Sequence, residues 1–590
     1  MENAAFVIGT SGLISVAETC VRVARLIDGI KSFKKDRESL YAEYNFEQVR
    51  LTLWISHVLG VNSSNLGSQT LQLRDDQLPS MLTSSSPINL HAPLQSALDE
   101  MAKILQRLNT LVQKFDSTTG TGTIDPDIGS DVGLMKRVMF QTGVYKPGGA
   151  DEIKTLLASL RSWNDRLDGI VASRMRHQLV TNMHVSLLSS AVTDQELEVI
   201  EQAAQTSHPA LRDEAAFRRG LLQINERPQG RVSNLRVQTD NILPSSPPGE
   251  SGGNLRKLGI LKNNQSVGIL QEWKLGQTNW KEDEKSIACT RVDQLASILC
   301  LENKPSRLRS LDLVAYVISD GGEGERKRLD FCFLYHLPPM TNRNSEPLTL
   351  QAALVRPEGK RPTLPQRFNM AIMLAESLLE FHLCNWLHKA VCSSNVLFFT
   401  NRQTDQVDFS APFIAGFEFS RPDTVRDQTL DAFSSLNFDV YCHPDLMQVL
   451  TGEGTSGRPR YQRQYDIYGL GVILLEIGCW MTVESILSRR NSSDRTRHER
   501  LLQVCTRMLP SRMGTKYKDA VCACLSWSPD GEKTGSGAAL RADAASHRKS
   551  QIEDFACKVI NMLMRLVYGS LGYYNGVKIY HHKEALPQGV

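Results

Sequence analysis

The hydrophobic spacing of this chain changes period once, across residues 225–256, and that break limits the fold more than any other feature. Before it, apolar residues recur at helical spacing. Leu94, Leu98, Met101, Leu105, Leu108, Val112 and Phe115 alternate steps of four and three, a narrow stripe along one helix face. Leu51, Trp54, Ile55 and Val58 keep the same repeat, as do Ile153, Leu156, Leu157, Leu160, Trp163 and Leu167. Loops rich in Ser, Thr, Gly and Asp fall near 62–90 and 116–131, so residues 1–224 are predicted to form an all-α helical bundle. The break holds four prolines among several Gly and Ser, too little apolar matter for a core, and 225–256 reads as a linker. Beyond it, "VGILQEWK" (267–274), "LDLVAYVIS" (311–319) and "RLDFCFLYHL" (328–337) read as strands, and helices return after 365. Strands first and helices later predict an α+β domain with segregated lobes over 257–590. The chain is therefore multidomain, and no internal repeat is visible.

Charge and cysteine usage exclude some functions. With 67 basic against 64 acidic residues the net charge is only +3, which argues against a nucleic-acid binder held by phosphate contacts. Twelve cysteines contain no CxxC pair, and eleven fall beyond residue 280, neither a zinc spacing nor a small disulfide framework. Reduced, buried thiols of an intracellular protein are the simplest account. Residues Asn3–Ala17 carry no charge over fifteen positions. Glu2 precedes that run and Glu18, Arg22 and Arg25 follow it, unlike a signal peptide. The run is also short of the roughly 20 residues that span a bilayer. Two readings stay open: a buried first helix, or a conditional membrane segment inserting through Phe6, Val7, Ile8, Leu13, Ile14 and Val16.

Four landmarks follow in order in the second half. Lys274 ends a strand in "EWK"; in "LHKAVCSSNVLFF" (387–399), His388 and Asn395 keep the spacing of H-R-D-L-x-x-x-N, with Ala390 at the Asp. "IAGFEFSR" (414–421) is similar to I-A-D-F-G-x-x-R, with Gly416 for Asp and Glu418 for Gly, and "YDIYGLGVILLEIG" (465–478) is similar to a central kinase helix. "YCHPD" (441–445) holds the place of A-P-E. The ordered set resembles the protein kinase fold. The resemblance implies that Asp466 anchors the loop backbone at His388, that Phe417 packs in the core, and that His388 is structural. It also places Asp293 where a helix carboxylate would pair with Lys274, although an exposed helical acid is the plainer reading.

The departures decide activity. Ala390 cannot take the proton of a substrate hydroxyl, and Gly416 offers magnesium no ligand. Asn395 alone is a poor metal site. No G-x-G-x-x-G precedes Lys274, only Gly252, Gly253, Gly259 and Gly268 in other spacings. The reading is a pseudokinase that binds no metal and requires no cofactor. Lys274, Asp293 and Asn395 form a vestigial nucleotide site at which ATP binding stays open.

"FEQVRLTLWISHVLGV" (46–61) resembles the R-L-R-L-x-x-W-G-x-x-x-G helix of the fungal HeLo domain found in the HET-S incompatibility proteins, with Arg50 and Trp54 the best-matching positions. The uncharged first segment, "FKKDRESL" and "DEIKTLLASLRSWNDRLDGI" fit the same family. That resemblance implies a bundle held inactive until a signal frees its first helix for a membrane. The order of domains is similar to the mixed lineage kinase domain-like executioner of necroptosis. The expectation is a non-catalytic protein of fungal regulated cell death or heterokaryon incompatibility. It would be cytoplasmic with recruitment to the plasma membrane, bind membrane lipid, homo-oligomerise on activation, answer to an unknown upstream trigger protein and bind no nucleic acid. Thr424, Thr429, Ser434 and Ser435 are candidate switch hydroxyls. An atypical active kinase and a non-toxic oligomeric scaffold are the alternatives.

Overall fold

A computed structural model describes residues 20, 23–24, 26–27, 38–59, 91–117, 149–170, 173–205, 208–226, 234–244, 255–262, 267–276, 280–301, 304–321, 328–357, 361–417, 420–422, 439–446, 461–488, 496–527 and 549–570. The chain divides into two compact units. The first is Met1–Arg231 with Leu301–Pro305 and Ser536–Glu553; the second is Val232–Cys300, Ser306–Gly535 and Asp554–Val590.

The first unit is helical: α1 (Glu38–Leu59), α2 (His91–Ser117), α3 (Gly149–Ile170), α4 (Ser173–Ser190), α5 (Asp194–Ala204) and α6 (Pro209–Glu226). The stripe from Leu94 to Val112 is buried along α2, and Leu51, Trp54, Ile153, Leu157 and Leu160 complete the same core. The side chains of Val58 and Phe115 lie outside the described residues. Cys20, Val23, Ala24 and Ile27 belong to this core as well. The Tyr44 hydroxyl donates to the Ala24 carbonyl at 2.6 Å, tying the end of the N-terminal segment to α1. Phe6, Val7, Ile8, Leu13, Ile14 and Val16 lie outside the described residues. Among the described residues no helix is long and apolar enough to cross a membrane.

Buried charge joins α1 to α3. Glu47 is wholly inaccessible, and its carboxylate accepts from Arg50 at 2.9 Å, from Arg161 at 3.1 Å and from Asn164 at 2.9 Å. Arg50 reaches on to Asp165 at 2.8 Å and Asp168 at 2.7 Å, while the Trp54 indole donates to the Leu167 carbonyl at 3.1 Å. The two best-matching positions of the α1 motif thus both grip one face of α3.

The second unit begins with a five-stranded antiparallel sheet of order β1-β2-β3-β5-β4. Its strands are β1 (Ile242–Leu243), β2 (Arg256–Leu261), β3 (Val267–Lys274), β4 (Leu313–Gly321) and β5 (Arg328–His336). Helix α7 (Glu282–Leu299) connects β3 to β4 and packs on β4 and β5. Part of the range 225–256 is therefore not linker. Ile242 pairs with Leu261 and is fully buried in the sheet core, and Arg236 bridges Tyr316. Average composition hides such a stretch, because a single buried apolar side chain is enough to seat a short edge strand.

Short elements follow: β6 (Leu348–Thr349) leading into α8 (Leu350–Leu354), α9 (Leu364–Leu383), then β7 (Trp386–Leu387), β8 (Val396–Phe398), β9 (Phe413–Ile414) and β10 (Arg421–Pro422). The remaining helices are α10 (Arg463–Cys479), α11 (Val483–Ser488), α12 (Arg497–Met513), α13 (Thr515–Leu525) and α14 (Asn561–Ser570). Every residue of α10 is buried, as expected of a helix apolar on all faces. Gly469 has a specific purpose there: a Cβ at that position would press into the Val391 carbonyl, so only glycine lets the loop after β7 lie against the helix.

Removing Arg50 leaves the buried Glu47 with only Arg161 and Asn164 as partners. Arg50→Ala should cost the bundle about 3–5 kcal/mol, the usual effect of breaking a buried pair. The measurement is hydrogen exchange of the α1 amides in the full chain; unchanged protection would refute the assignment.

Candidate functional site

The loop between β7 and β8 is held by a carboxylate from beneath. Asp466, wholly buried near the start of α10, accepts from the backbone N–H of His388 and of Lys389, both at 2.9 Å, and from the Tyr461 hydroxyl at 2.9 Å. Burial opposes its ionisation, but His382, 3.6 Å away, and the amide bonds hold its pKa below the ordinary carboxylate range. Asp466 thereby fixes the loop, whose Lys389 has a φ of 66°.

His388 faces inward. Its ring lies 5.0 Å from the Phe417 ring and 5.7 Å from that of Phe381, and its Nδ1 accepts from the Ala390 amide at 3.3 Å. Burial pushes its pKa down to about 4, against the pull of Asp466 and Glu272. It is a neutral packing group, not a base facing solvent. Ala390 is itself buried, and its carbonyl accepts from the Asn395 side-chain Nδ2 at 2.8 Å.

The polar centre beside this loop contains two residues that sequence reading missed, Arg256 and Glu272. They lie directly opposite each other on β2 and β3, and Arg256 Nε meets Glu272 Oε1 at 2.5 Å. The other guanidinium nitrogens donate to the Ser394 carbonyl at 2.7 Å and to Asn395 Oδ1 at 2.5 Å. Glu272 also accepts from the Gly416 amide at 3.1 Å and from the Tyr335 hydroxyl at 3.1 Å. The sequence signal was a cross-strand pair of opposite charge, which becomes visible only when residues 256–261 are read as a strand.

This geometry bears on every position singled out for nucleotide chemistry. Lys274 ends β3, but it is Glu272, two residues earlier, that reaches Gly416. The carboxylate of Asp293 on α7 accepts from the Tyr316 hydroxyl at 2.6 Å. Asn395 Oδ1, the atom that would face a cation, is occupied by Arg256. Gly416 has a φ of +79°, and a Cβ there would overlap the Asn395 side chain. An aspartate at 416 and Asn395 as placed are therefore mutually exclusive, and these residues do not fit a magnesium–nucleotide pair. Glu418, Thr424, Thr429, Ser434 and Ser435 lie outside the described residues.

A second buried acid sits below the loop. The Tyr441 hydroxyl lies 2.6 Å from the Ser393 hydroxyl and donates to Glu476 Oε1 at 2.9 Å, which also accepts from the Val483 amide at 2.8 Å. Glu476 Oε2 is buried without a partner, as suits a protonated carboxyl. Burial raises its pKa to about 8, only partly offset by those bonds. The folded state thus holds this proton between pH about 4.5 and about 8 while the unfolded chain releases it. The stabilisation is complete below pH 4.5 and lost as pH rises through 8. Glu476→Gln should flatten that loss, its stability relative to the parent growing from pH 5 to pH 8 in urea titrations; a constant difference would contradict the assignment.

Residues 335–549 match a domain of unknown function (DUF7580), a span that contains Asn395, Gly416 and Asp466 but excludes Arg256 and Glu272. No curated protein matches the chain. Residues 5–137 match HeLo, prion-inhibition and propagation, a range that holds α1 and α2 and stops before α3. The chain carries a HeLo domain at its amino terminus.

Proposed function

We propose that this protein is a non-catalytic effector of fungal regulated cell death or heterokaryon incompatibility, in which a pseudokinase unit controls a HeLo bundle of latent membrane activity. One observation carries the non-catalytic part: the Arg256–Glu272 pair fills the polar centre that a nucleotide would need, bonded to Asn395 and Gly416. The kinase-like reading is supported by the sheet order, by the helix between β3 and β4, and by the anchoring of the loop backbone on Asp466. In this reading Ala390 leaves no acceptor for a hydroxyl proton, and ATP is not a cofactor.

The HeLo match supports the effector part. The bundle restrains the end of its N-terminal segment through Cys20, Val23, Ala24 and Ile27, so activation requires those side chains to leave the core. A partner or modification that favours the released state would shift the balance by its differential affinity for the two states. The active form is a homo-oligomer on the inner face of the plasma membrane, recruited from the cytoplasm by an upstream trigger protein.

Two assays separate this reading from its alternatives. Purified chain should transfer no phosphate from ATP–magnesium and show no thermal shift with it; transfer that disappears in Lys274→Ala would establish an atypical kinase instead. Inducible expression in yeast, with and without forced dimerisation, should admit propidium iodide, and Leu13→Glu should abolish that uptake at equal protein abundance. Absence of uptake at every expression level, dimerised or not, would leave an interaction scaffold.

A further inference from the structure

Two cysteines of the second unit stand apart from the centre described above. Helices α12 and α13 form a hairpin that turns at Gly514, whose φ of +86° only glycine adopts readily. The turn brings Cys505 and Cys522 together with their sulfurs 3.0 Å apart. A disulfide is about 2.0 Å long, so roughly 1 Å of approach would close the bond. The two positions differ in access: Cys505 is fully buried, whereas Cys522 is partly exposed.

The surroundings divide the chemistry between the two sulfurs. The contact with Cys505, with the charge of Lys518 one helical turn away, lowers the pKa of Cys522 to about 7 despite partial burial and the opposing charge of Asp519. Cys505 is pushed the other way, by the bond to Cys522 and then by burial. The more accessible sulfur is thus the readier of the two to ionise. A thiolate that an oxidant can reach, in contact with a second thiol, is the arrangement in which oxidation ends in a disulfide. The neighbouring Cys479 and Cys524 are buried and have no such access.

We propose that Cys505 and Cys522 form a reversible intramolecular disulfide on exposure to a hydroperoxide, a modification site independent of the proposed cell-death function. The Cys522 thiolate attacks one peroxide oxygen and the O–O bond breaks, leaving a sulfenic acid and a hydroxide that takes up a proton as water. Cys505 then attacks that sulfur: the S–S bond forms, the S–O bond breaks, and the Cys505 proton leaves with the second water. With hydrogen peroxide, two thiols lose two electrons and the peroxide becomes two waters; a dithiol reductant reverses the change. The bond would lock a hairpin that packs on α10, where Cys524 lies so close to Gly471 that no Cβ fits between them.

The test uses the full chain, treated with hydrogen peroxide, quenched with iodoacetamide and mapped by peptide mass spectrometry. The expected result is a Cys505–Cys522 linked peptide that dithiothreitol removes, with exposed Cys557 still alkylated. In Cys505→Ser, dimedone should label Cys522 about tenfold more than in the parent chain, because the sulfenic acid has lost its resolving thiol. If that variant does not fold by circular dichroism, the linked peptide in the parent chain decides alone. Cys505 and Cys522 both alkylated after peroxide, or Cys522 linked mainly to another cysteine, would overturn the proposal.

Discussion

One buried carboxylate organises the second unit. Asp466 sits on a helix with no solvent-facing side, and its two oxygens take the amides at 388 and 389. A carboxylate is expensive to bury unless its lone pairs are filled, and backbone amides fill them with fixed geometry. The loop is therefore held in shape without any help from a ligand. Gly469 lets the same loop touch the helix, and the His388 ring closes the space above it among Phe381 and Phe417.

Beside that loop lies a closed electrostatic system. Arg256 carries one positive charge to a place where Glu272 carries one negative, and their remaining bonding capacity goes to Asn395, Ser394, Gly416 and Tyr335. Removing either partner of such a buried pair costs about 3–5 kcal/mol, so the pair resists opening by a ligand that supplies less. The helical unit uses the same principle for another end. Arg50 and Glu47 are equally buried, and their bonds fasten α1 to α3. In both units a charged pair bonds to a segment remote in sequence, Arg256 to Asn395 and Arg50 to Asp165 and Asp168.

Much of this was legible from residue patterns. The stripe on α2 is buried throughout its described positions because a period near 3.6 leaves one face apolar whatever packs on it. The three β segments were legible because buried strands concentrate Val, Ile, Leu and aromatics between turn residues. That positions 390 and 416 hold alanine and glycine needs only the residue identities. Arg256, Glu272 and the Ile242 strand were not legible. Each depends on strand register, and shifting a register by one residue would send a side chain to the opposite face.

The sequence by itself determined the order of the units and the helical and strand segments, since these follow from local periodicity and residue chemistry. Tertiary structure alone decided which charges meet. The contact of Arg256 with Asn395 spans 139 residues, that of Arg50 with Asp168 spans 118, and the meeting of the Cys505 and Cys522 sulfurs depends on how two helices turn at Gly514. A Coulomb interaction has no sequence signature at such separations, because it depends on distance and burial, which only the folded chain sets.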